Sequence, residues 1–322
     1  MEEKAHDKRS KYIILTEQYK DHGWFRLYRI QAATEFEVSE KDGSRIVISP
    51  GDFGGWIGGP QNLSQEGNCW IGKNAMAYSD AKVQDNALVT DNAVVHGESV
   101  IAGNAMISGS ANVESTNAKD EARIEDDARV CHSRLENSAR ICHQTRVEYS
   151  SLSGHAEVAG ESQVNFSQLE DCTIWGTSVV QHSEIGKGCS VQDARVTWHS
   201  TLKHGALVSN GAAVIHSVLD GEITVTNHAE VKHFDLIGEK FCITDYAKIE
   251  AGSCLILGPF LHMPTKVLLC KIDCTISEQV VGIIEKEVFL YDDLIECIVS
   301  FTNYKYKDVE RMFDAARRMI WG

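Results

Sequence analysis

Residues 86–113 repeat every six positions, with a small residue followed two places later by Val or Ile. An α-helix turns about 100° per residue, so a six-residue step would scatter these residues over three sides and leave no apolar stripe. In a short β-strand they share one face, and polar residues such as Asp91 and Asn92 then turn the chain without reversing it. The pattern predicts a solenoid of short stacked strands. The small residues are Ala87, Ala93, Ser99, Ala105 and Ala111.

Longer spacings define three sides of each coil. Coils 69–86 and 87–104 hold three hexads each, and from Ala105 the coil shortens to about seventeen residues. The pattern continues to Gly258 and predicts an all-β fold, a triangular, single-stranded parallel β-helix of about eleven coils of 16–18 residues. The inward residues of side 1 are Ile124, Ile141, Val158, Ile174, Val191 and Val208. Those of side 2 are Val130, Val147, Val164, Val180, Val196 and Val214. Those of side 3 are Leu135, Leu152, Leu169, Ile185, Leu202 and Leu219.

The four prolines mark the ends of this solenoid, because none lies between residues 61 and 258 and each would remove a donor from a parallel ladder. We therefore expect a β-rich cap at 1–68, the β-helix at 69–258, and a strand and helix cap at 259–322. Caps protect the open strand edges of a solenoid from aggregation. Strands are predicted at 12–16, 25–33, 45–48, 266–271 and 294–301. An amphipathic helix is predicted from Lys307 to Trp321.

Composition limits the partners. The net charge of −15 argues against direct nucleic-acid binding, which needs a basic face, and leaves a basic protein surface as a partner. No segment is long and apolar enough to span a membrane, and the charged N-terminus lacks a signal-peptide pattern, so we expect a cytoplasmic protein. Cys69, Cys172 and Cys189 occupy small inward positions, which favours reduced, packed thiols.

The hexads, in the frame of Ile71, Gly72 and Ala75, resemble the hexapeptide repeat of left-handed parallel β-helix proteins. The best-known members are trimeric acyl-CoA-dependent acyltransferases. Residues 52–75, with DFGGWI and NLSQEGNCWIGKNA, and the later coils resemble the YdcK-like β-solenoids of bacteria and phages. The resemblance implies left-handed winding. It also implies a histidine base at a subunit interface and acetyl-CoA or another acyl-CoA as cofactor.

An aromatic residue recurs two places after the inward valine of side 2. Rings repeated at the ~4.8 Å strand spacing can stack, and each pair contributes about 0.5–1.5 kcal/mol beyond burial. We expect a structural stack; if the rings point outward, they form a binding stripe for a planar or saccharide ligand. The column is His132, Tyr149, Phe166, His182, Trp198, His216 and His233.

Two Cys-His dipeptides, Cys131-His132 and Cys142-His143, look like a metal pair. They are eleven residues apart, whereas stacking needs about seventeen, so they fall on different sides of the coil and no metal site is predicted. The outward arginines Arg123, Arg140, Arg129 and Arg146 are expected to form a solvated face compensated by acidic residues such as Glu125 and Glu157.

Two functions are consistent with these observations. The first is a non-enzymatic rigid scaffold or binding module for a macromolecular partner, without a cofactor, since no coil carries a loop or acid–base pair apart from the repeat. The second is a hexapeptide-type acyltransferase, for which His96 and His143 are the candidate bases because both stand outside the aromatic column. The enzyme would be a trimer; a dimer through the 307–321 helix is the other expected oligomer.

Overall fold

The computed structural model describes residues 10–40, 42–244, 248–259, 266–271 and 281–282. The secondary structure of these residues is β-strand, apart from one 3₁₀ turn at Pro60–Asn62. The predicted all-β class and parallel solenoid of about eleven turns are confirmed. Left-handed winding stays a prediction. The chain divides into two compact units, Met1–Asp171 (unit 1) and Cys172–Gly322 (unit 2).

The solenoid of unit 1 consists of short parallel strands on three sides. On side 1 the strands are Trp70–Ile71, Leu88–Val89, Met106–Ile107, Arg123–Ile124, Arg140–Ile141 and Glu157–Val158. On side 2 they are Met76–Ala77, Val94–His96, Asn112–Glu114, Arg129–Cys131, Arg146–Glu148 and Gln163–Asn165. On side 3 they are Lys82–Val83, Val100–Ile101, Asn117–Ala118, Arg134–Leu135, Ser151–Ser153 and Gln168–Glu170.

The register follows the sequence spacing. Leu152 pairs with both Leu135 and Leu169, seventeen residues away on each side. The earlier hexad coils pair eighteen residues apart, as Leu88 does with Met106. The predicted columns of inward residues are therefore confirmed within unit 1.

Inward residues fill the core of each coil. Val164 and Leu152 are fully buried, and the small residues two places before an inward Val or Leu, such as Ala156, are buried as well. Burying one Val or Leu side chain contributes about 1.5–3 kcal/mol, so stability is distributed along the stack. Cys69, Cys172 and Cys189 are buried, as predicted, and the cysteines whose side chains are described are free thiols.

The corners have two recurrent hydrogen-bond devices. Where a corner has lost one residue, an inward hydroxyl accepts the next coil's amide: Ser133 Oγ accepts from the Ser150 N–H at 3.2 Å, and Ser150 Oγ from the Ser167 N–H at 3.1 Å. At other corners an Asp with positive φ does the same, as Asp120 Oδ2 does for the Asn137 N–H at 3.0 Å. Backbone amides at the corners are thereby paired in spite of the irregular backbone.

The N-terminal segment forms an antiparallel sheet joined to the first coils. Tyr12–His22 pairs with Phe25–Ala32, which pairs with Phe53–Ile57. Trp56 of the last strand lies parallel to Met76, so this strand covers the open edge of side 2. The boundary of the predicted cap at residue 68 stays a prediction.

A separate hairpin, Phe36–Ser39 with Arg45–Ile48, lies beside this sheet. Only its second strand is predicted from sequence. The aromatic ring of Phe36 meets Trp70 of side 1 edge to face, with centroids 5.2 Å apart. The hairpin thereby covers an outward residue of the first coil.

Unit 2 repeats the three-sided coil and then changes to long strands. The short strands are Thr173–Trp175, Val179–Gln181, Glu184–Ile185, Ser190–Gln192, Arg195–Thr197, Thr201–Lys203, Leu207–Ser209 and Ala213–Ile215. The long strands are Val218–Val225, Glu230–Thr244 and Lys248–Pro259, which pair in parallel. The predicted strand Lys266–Lys271 is confirmed and pairs antiparallel with the last of them. A further strand is Val281–Gly282. The predicted strand 294–301 and helix 307–321 lie outside the described residues.

Candidate functional site

In unit 1 the predicted aromatic column is a stack of exposed rings. The ring centroids of His132 and Tyr149 are 4.8 Å apart with planes 12° apart, and those of Tyr149 and Phe166 are 4.8 Å apart with planes 1° apart. Tyr149 is 51% exposed and Phe166 52%. The expected stack is therefore confirmed, and its rings point outward. We call His132, Tyr149 and Phe166 ring row 1.

The outward direction follows from the backbone at this corner. Each ring residue has positive φ, 48° at His132, 49° at Tyr149 and 50° at Phe166. The next residue is an inward serine, such as Ser150. The positive φ breaks the strand alternation, so the ring faces solvent although it stands two places after an inward valine.

Aromatic residues are unusual in this conformation. The positive-φ residues at the two other corners of unit 1 are mostly Gly, Asp and Asn, which tolerate it. A bulky residue there costs about 1–2 kcal/mol, and stacking returns about 0.5–1.5 kcal/mol per pair. The two quantities are similar, so stability alone gives little reason for rings at this corner.

Unit 2 continues the pattern with imidazoles, and one predicted member is wrong. Val196 is followed by one additional residue, so His199, rather than Trp198, stands before the inward Ser200 and takes the ring position. Trp198 has positive φ and is 65% exposed beside the row. We call His182, His199, His216 and His233 ring row 2.

The rings of row 2 are tilted rather than parallel. Their centroids are 5.7 Å apart for His182 and His199, 6.5 Å for His199 and His216, and 5.0 Å for His216 and His233. The planes meet at 48°, 77° and 39° in the same order. All four side chains are exposed.

His96 lies in a ring cluster near the start of the solenoid. Its ring stacks on Tyr78 at 5.2 Å with planes 4° apart, and Tyr78 also contacts Phe25 and His22 of the N-terminal hairpin. The Nε2 atom of His96 lies 3.0 Å from the Asn112 Oδ1 atom. The amide oxygen thereby orients the imidazole.

His143, the other candidate base, belongs to the single three-donor cluster found in the described part of the chain, with Asp126 and Cys142. Asp126 Oδ2 accepts the His143 N–H at 3.0 Å, and the Gly160 N–H donates to His143 Nδ1 at 3.3 Å. The Cys142 sulfur lies 3.4 Å from that nitrogen. Burial raises the pKa of the Cys142 thiol, which disfavours the thiolate that a metal would bind. The aspartate and the Nδ1 atom already have backbone partners.

Two histidine–aspartate pairs were missed in the sequence. His155 Nδ1 lies 3.3 Å from Asp171 Oδ1 in unit 1, and His204 Nδ1 bonds Asp220 in unit 2. Both histidines are largely exposed and stand at equivalent corners, after the strand of side 3. A carboxylate on Nδ1 leaves Nε2 to take a proton, which is the geometry of a general base. Their signal is an Asp sixteen residues after each His.

The predicted compensation is confirmed at two of the four outward arginines, Arg140 and Arg146. Arg140 bonds the fully buried Glu125 at 2.8 Å and Glu157 of the next coil at 2.8 Å. Arg146 pairs with Glu148 at 2.6 Å. The charges of Arg140 and Arg146 are therefore balanced by neighbouring carboxylates.

A cleft of about 370 Å³ lies between the Phe36–Ser39 hairpin and side 1 of unit 1. Its apolar walls include Val38, Ile46, Trp70 and Leu88, and its charged lining consists of Glu40, Asp52 and Lys73.

Among the described residues no helix has the length and apolarity needed to cross a membrane.

No protein-family profile and no curated protein matches the sequence. Solved structures similar to parts of the chain include three UDP-N-acetylglucosamine acyltransferases. That of Francisella novicida is 16% identical over 55% of this chain and 67% of its own, with a TM-score of 0.32. That of Moraxella catarrhalis is 9% identical over 55% and 70%, with a TM-score of 0.33. That of Bacteroides fragilis is 11% identical over 72% and 85%, with a TM-score of 0.33.

These enzymes are acyltransferases, the class named in the second hypothesis, and not binding modules as in the first. Likeness at such scores says nothing about the activity of this chain. The narrower resemblance to YdcK-like proteins stays a prediction.

Proposed function

We propose that this protein is a non-enzymatic binding module that presents ring rows 1 and 2 to a macromolecular partner. The supporting observation is the placement of half-exposed rings such as Tyr149 and Phe166 at positive φ, where Gly, Asp or Asn would be less strained. Stability does not explain why rings stand at this corner, whereas binding of a partner does.

The stacking geometry indicates how the rows bind. In row 1 the ring faces cover one another, so edges face solvent, and a planar or saccharide ligand has no row of free faces to stack on. Ring edges carry partial positive charge and meet other rings edge to face, while the Tyr149 hydroxyl and the imidazole nitrogens form hydrogen bonds. Aromatic edges and scattered donors favour a protein surface as the partner.

Ring replacement tests this proposal. The double variant Tyr149→Asn/Phe166→Asn removes two rings and supplies a residue that tolerates positive φ. Phe53→Ser is the matched control, because Phe53 is similarly exposed, at 47%, on the N-terminal sheet. Wild type, control and double variant are each immobilised and exposed to an extract of the native host. We expect wild type and control to capture the same partner protein, and the double variant to capture at least about tenfold less of it. Equal capture by all three would contradict the proposal, provided that their melting curves agree.

An acyltransferase is the second candidate, supported by the His155–Asp171 and His204–Asp220 pairs. Each pair orients an imidazole as a general base needs, whereas the Nε2 atom of His96 faces an amide oxygen and the Nδ1 atom of His143 accepts a backbone N–H. The exposure of both pairs means that a second copy of the chain would have to close the site. Acyl-CoA would supply the acyl group.

Two measurements separate the candidates. Light scattering gives the oligomeric state, and thermal shift with acetyl-CoA gives cofactor binding. A trimer whose melting temperature rises with acetyl-CoA concentration would favour the enzyme. Loss of acetyl transfer in His155→Gln or His204→Gln, with folding and acetyl-CoA binding retained, would identify the base. A monomer that acetyl-CoA does not stabilise would leave the binding module as the better account.

A further inference from the structure

Two cations lie against one indole ring on the N-terminal sheet. The ammonium of Lys20 is 4.7 Å from the Trp56 ring centroid, and the guanidinium of Arg29 is 4.9 Å from it. The Arg29 guanidinium is also 5.7 Å from the ring of Phe53. The three neighbouring strands Tyr12–His22, Phe25–Ala32 and Phe53–Ile57 supply these side chains, and Arg29 is directly opposite Trp56 in the ladder.

Within the part of the chain that the structure describes, Lys20 and Arg29 differ from two arginines of the same segment, because neither has an acidic partner. Arg26 pairs with Asp21 at 3.0 Å and Arg45 with Glu37 at 3.2 Å. Within the described ranges, no carboxylate lies within ion-pair distance of Lys20 or Arg29. Acidic residues are abundant in a chain of net charge −15, so their absence here is a local exception.

The pair is also partly removed from water. Burial lowers the pKa of Lys20, and the positive charge of Arg29 lowers it further. Burial likewise lowers the pKa of Arg29. Two like charges held together in a half-buried setting repel one another, and a bound anion would relieve that repulsion.

We propose that Lys20, Arg29 and Trp56 form a binding site for the phosphate group of a small ligand. Arg29 donates two parallel hydrogen bonds to phosphate oxygens, and Lys20 adds a second positive charge. The Trp56 and Phe53 rings hold the cations through cation–π contacts and limit their hydration. The two positive charges match a phosphate better than a monovalent carboxylate.

Pyrophosphate is the probe for this site. It is titrated into the full chain at constant ionic strength while Trp fluorescence and melting temperature are followed, with acetate as the monovalent comparison. We expect saturable binding of pyrophosphate by wild type, and a Kd at least about tenfold higher in Lys20→Gln and in Arg29→Gln. Lys82→Gln, an exposed lysine on side 3 of the solenoid, is the matched control and should bind like wild type.

Arg29→Lys keeps the charge but not the planar donor pair, so we expect intermediate affinity. Its binding also serves as the test if Arg29→Gln does not fold. No saturable binding by wild type would overturn the proposal. Equal affinity in wild type, Lys20→Gln and the Arg29 variants would overturn it as well, since the anion would then bind elsewhere.

Discussion

Replacing Val164 with Asp tests the inward column of side 2. Val164 is fully buried and pairs with Val147 of the preceding coil. The variant loses the burial of the valine, about 1.5–3 kcal/mol, and places a carboxylate in the core at a cost of several kcal/mol. The sum is about 5 kcal/mol or more, comparable with the whole stability of many domains, about 5–15 kcal/mol. We therefore expect the coils around Val164 to unfold at neutral pH.

Urea unfolding followed by circular dichroism measures this effect. Gln163 is the matched control, because it is exposed in the same strand and Gln163→Asp should change the unfolding free energy by less than about 0.5 kcal/mol. Val164→Ala should lie between the two, at about 2 kcal/mol. If Val164→Asp and Gln163→Asp unfold alike, Val164 does not face the core and the ladder register is wrong.

Acidity gives a second test of the same substitution. Burial raises the folded-state pKa of an aspartate carboxyl above its unfolded value of about 3.9. The carboxyl introduced by Val164→Asp would then destabilise the fold least at a pH below about 3.9, where it is protonated. The destabilisation would grow as pH rises through the folded-state pKa. The difference in stability between Val164→Asp and Val164→Asn should thus be larger at pH 7 than at pH 4. A difference independent of pH would mean that the carboxylate reaches water.

Three further changes examine the corners and the caps by urea unfolding. Tyr149→Asn loses two stacked contacts, about 1–3 kcal/mol, but relieves about 1–2 kcal/mol of backbone strain, so its net loss of stability should stay below about 2 kcal/mol. Tyr149→Val should lose more stability, because a β-branched residue keeps the strain. Equal losses in the two variants would refute the backbone argument. Glu125→Gln should lower the free energy of unfolding by about 3 kcal/mol, because it leaves the Arg140 guanidinium without its buried charged partner. Glu157→Gln, at the exposed end of the same guanidinium, should lower it by less than about 1 kcal/mol. The reverse order of these two losses would contradict the reasoning. Burial raises the pKa of Tyr12 to about 12, and the Tyr12 hydroxyl donates to the Leu63 carbonyl at 2.6 Å. Wild type should therefore lose stability as pH rises from about 10 to 12, and Tyr12→Phe should not show this loss. Parallel pH profiles of stability for the two proteins would show that Tyr12 ionises freely.

The sequence by itself determined the repeating architecture. Each coil must bury the same kind of side chain at the same place, so contacts seventeen residues apart appear in the chain as a spacing of seventeen. This is why Leu135, Leu152 and Leu169 could be placed in one column from the sequence, and why the ring positions of row 1 were found there. The pairing of Arg140 with Glu157, seventeen residues further on, followed from the same spacing.

Only the tertiary structure decided which way the rings point and which groups meet outside the repeat. The positive φ at Tyr149 reverses the strand alternation, and one added residue moves His199 into the place expected for Trp198. The meeting of Lys20, Arg29 and Trp56 appears only in three dimensions, and the structure was needed to recognise the Asp sixteen residues after His155 as its partner. A periodic pattern reports which residues stack, but corner dihedral angles and cross-strand neighbours outside the repeat depend on backbone geometry that has no period.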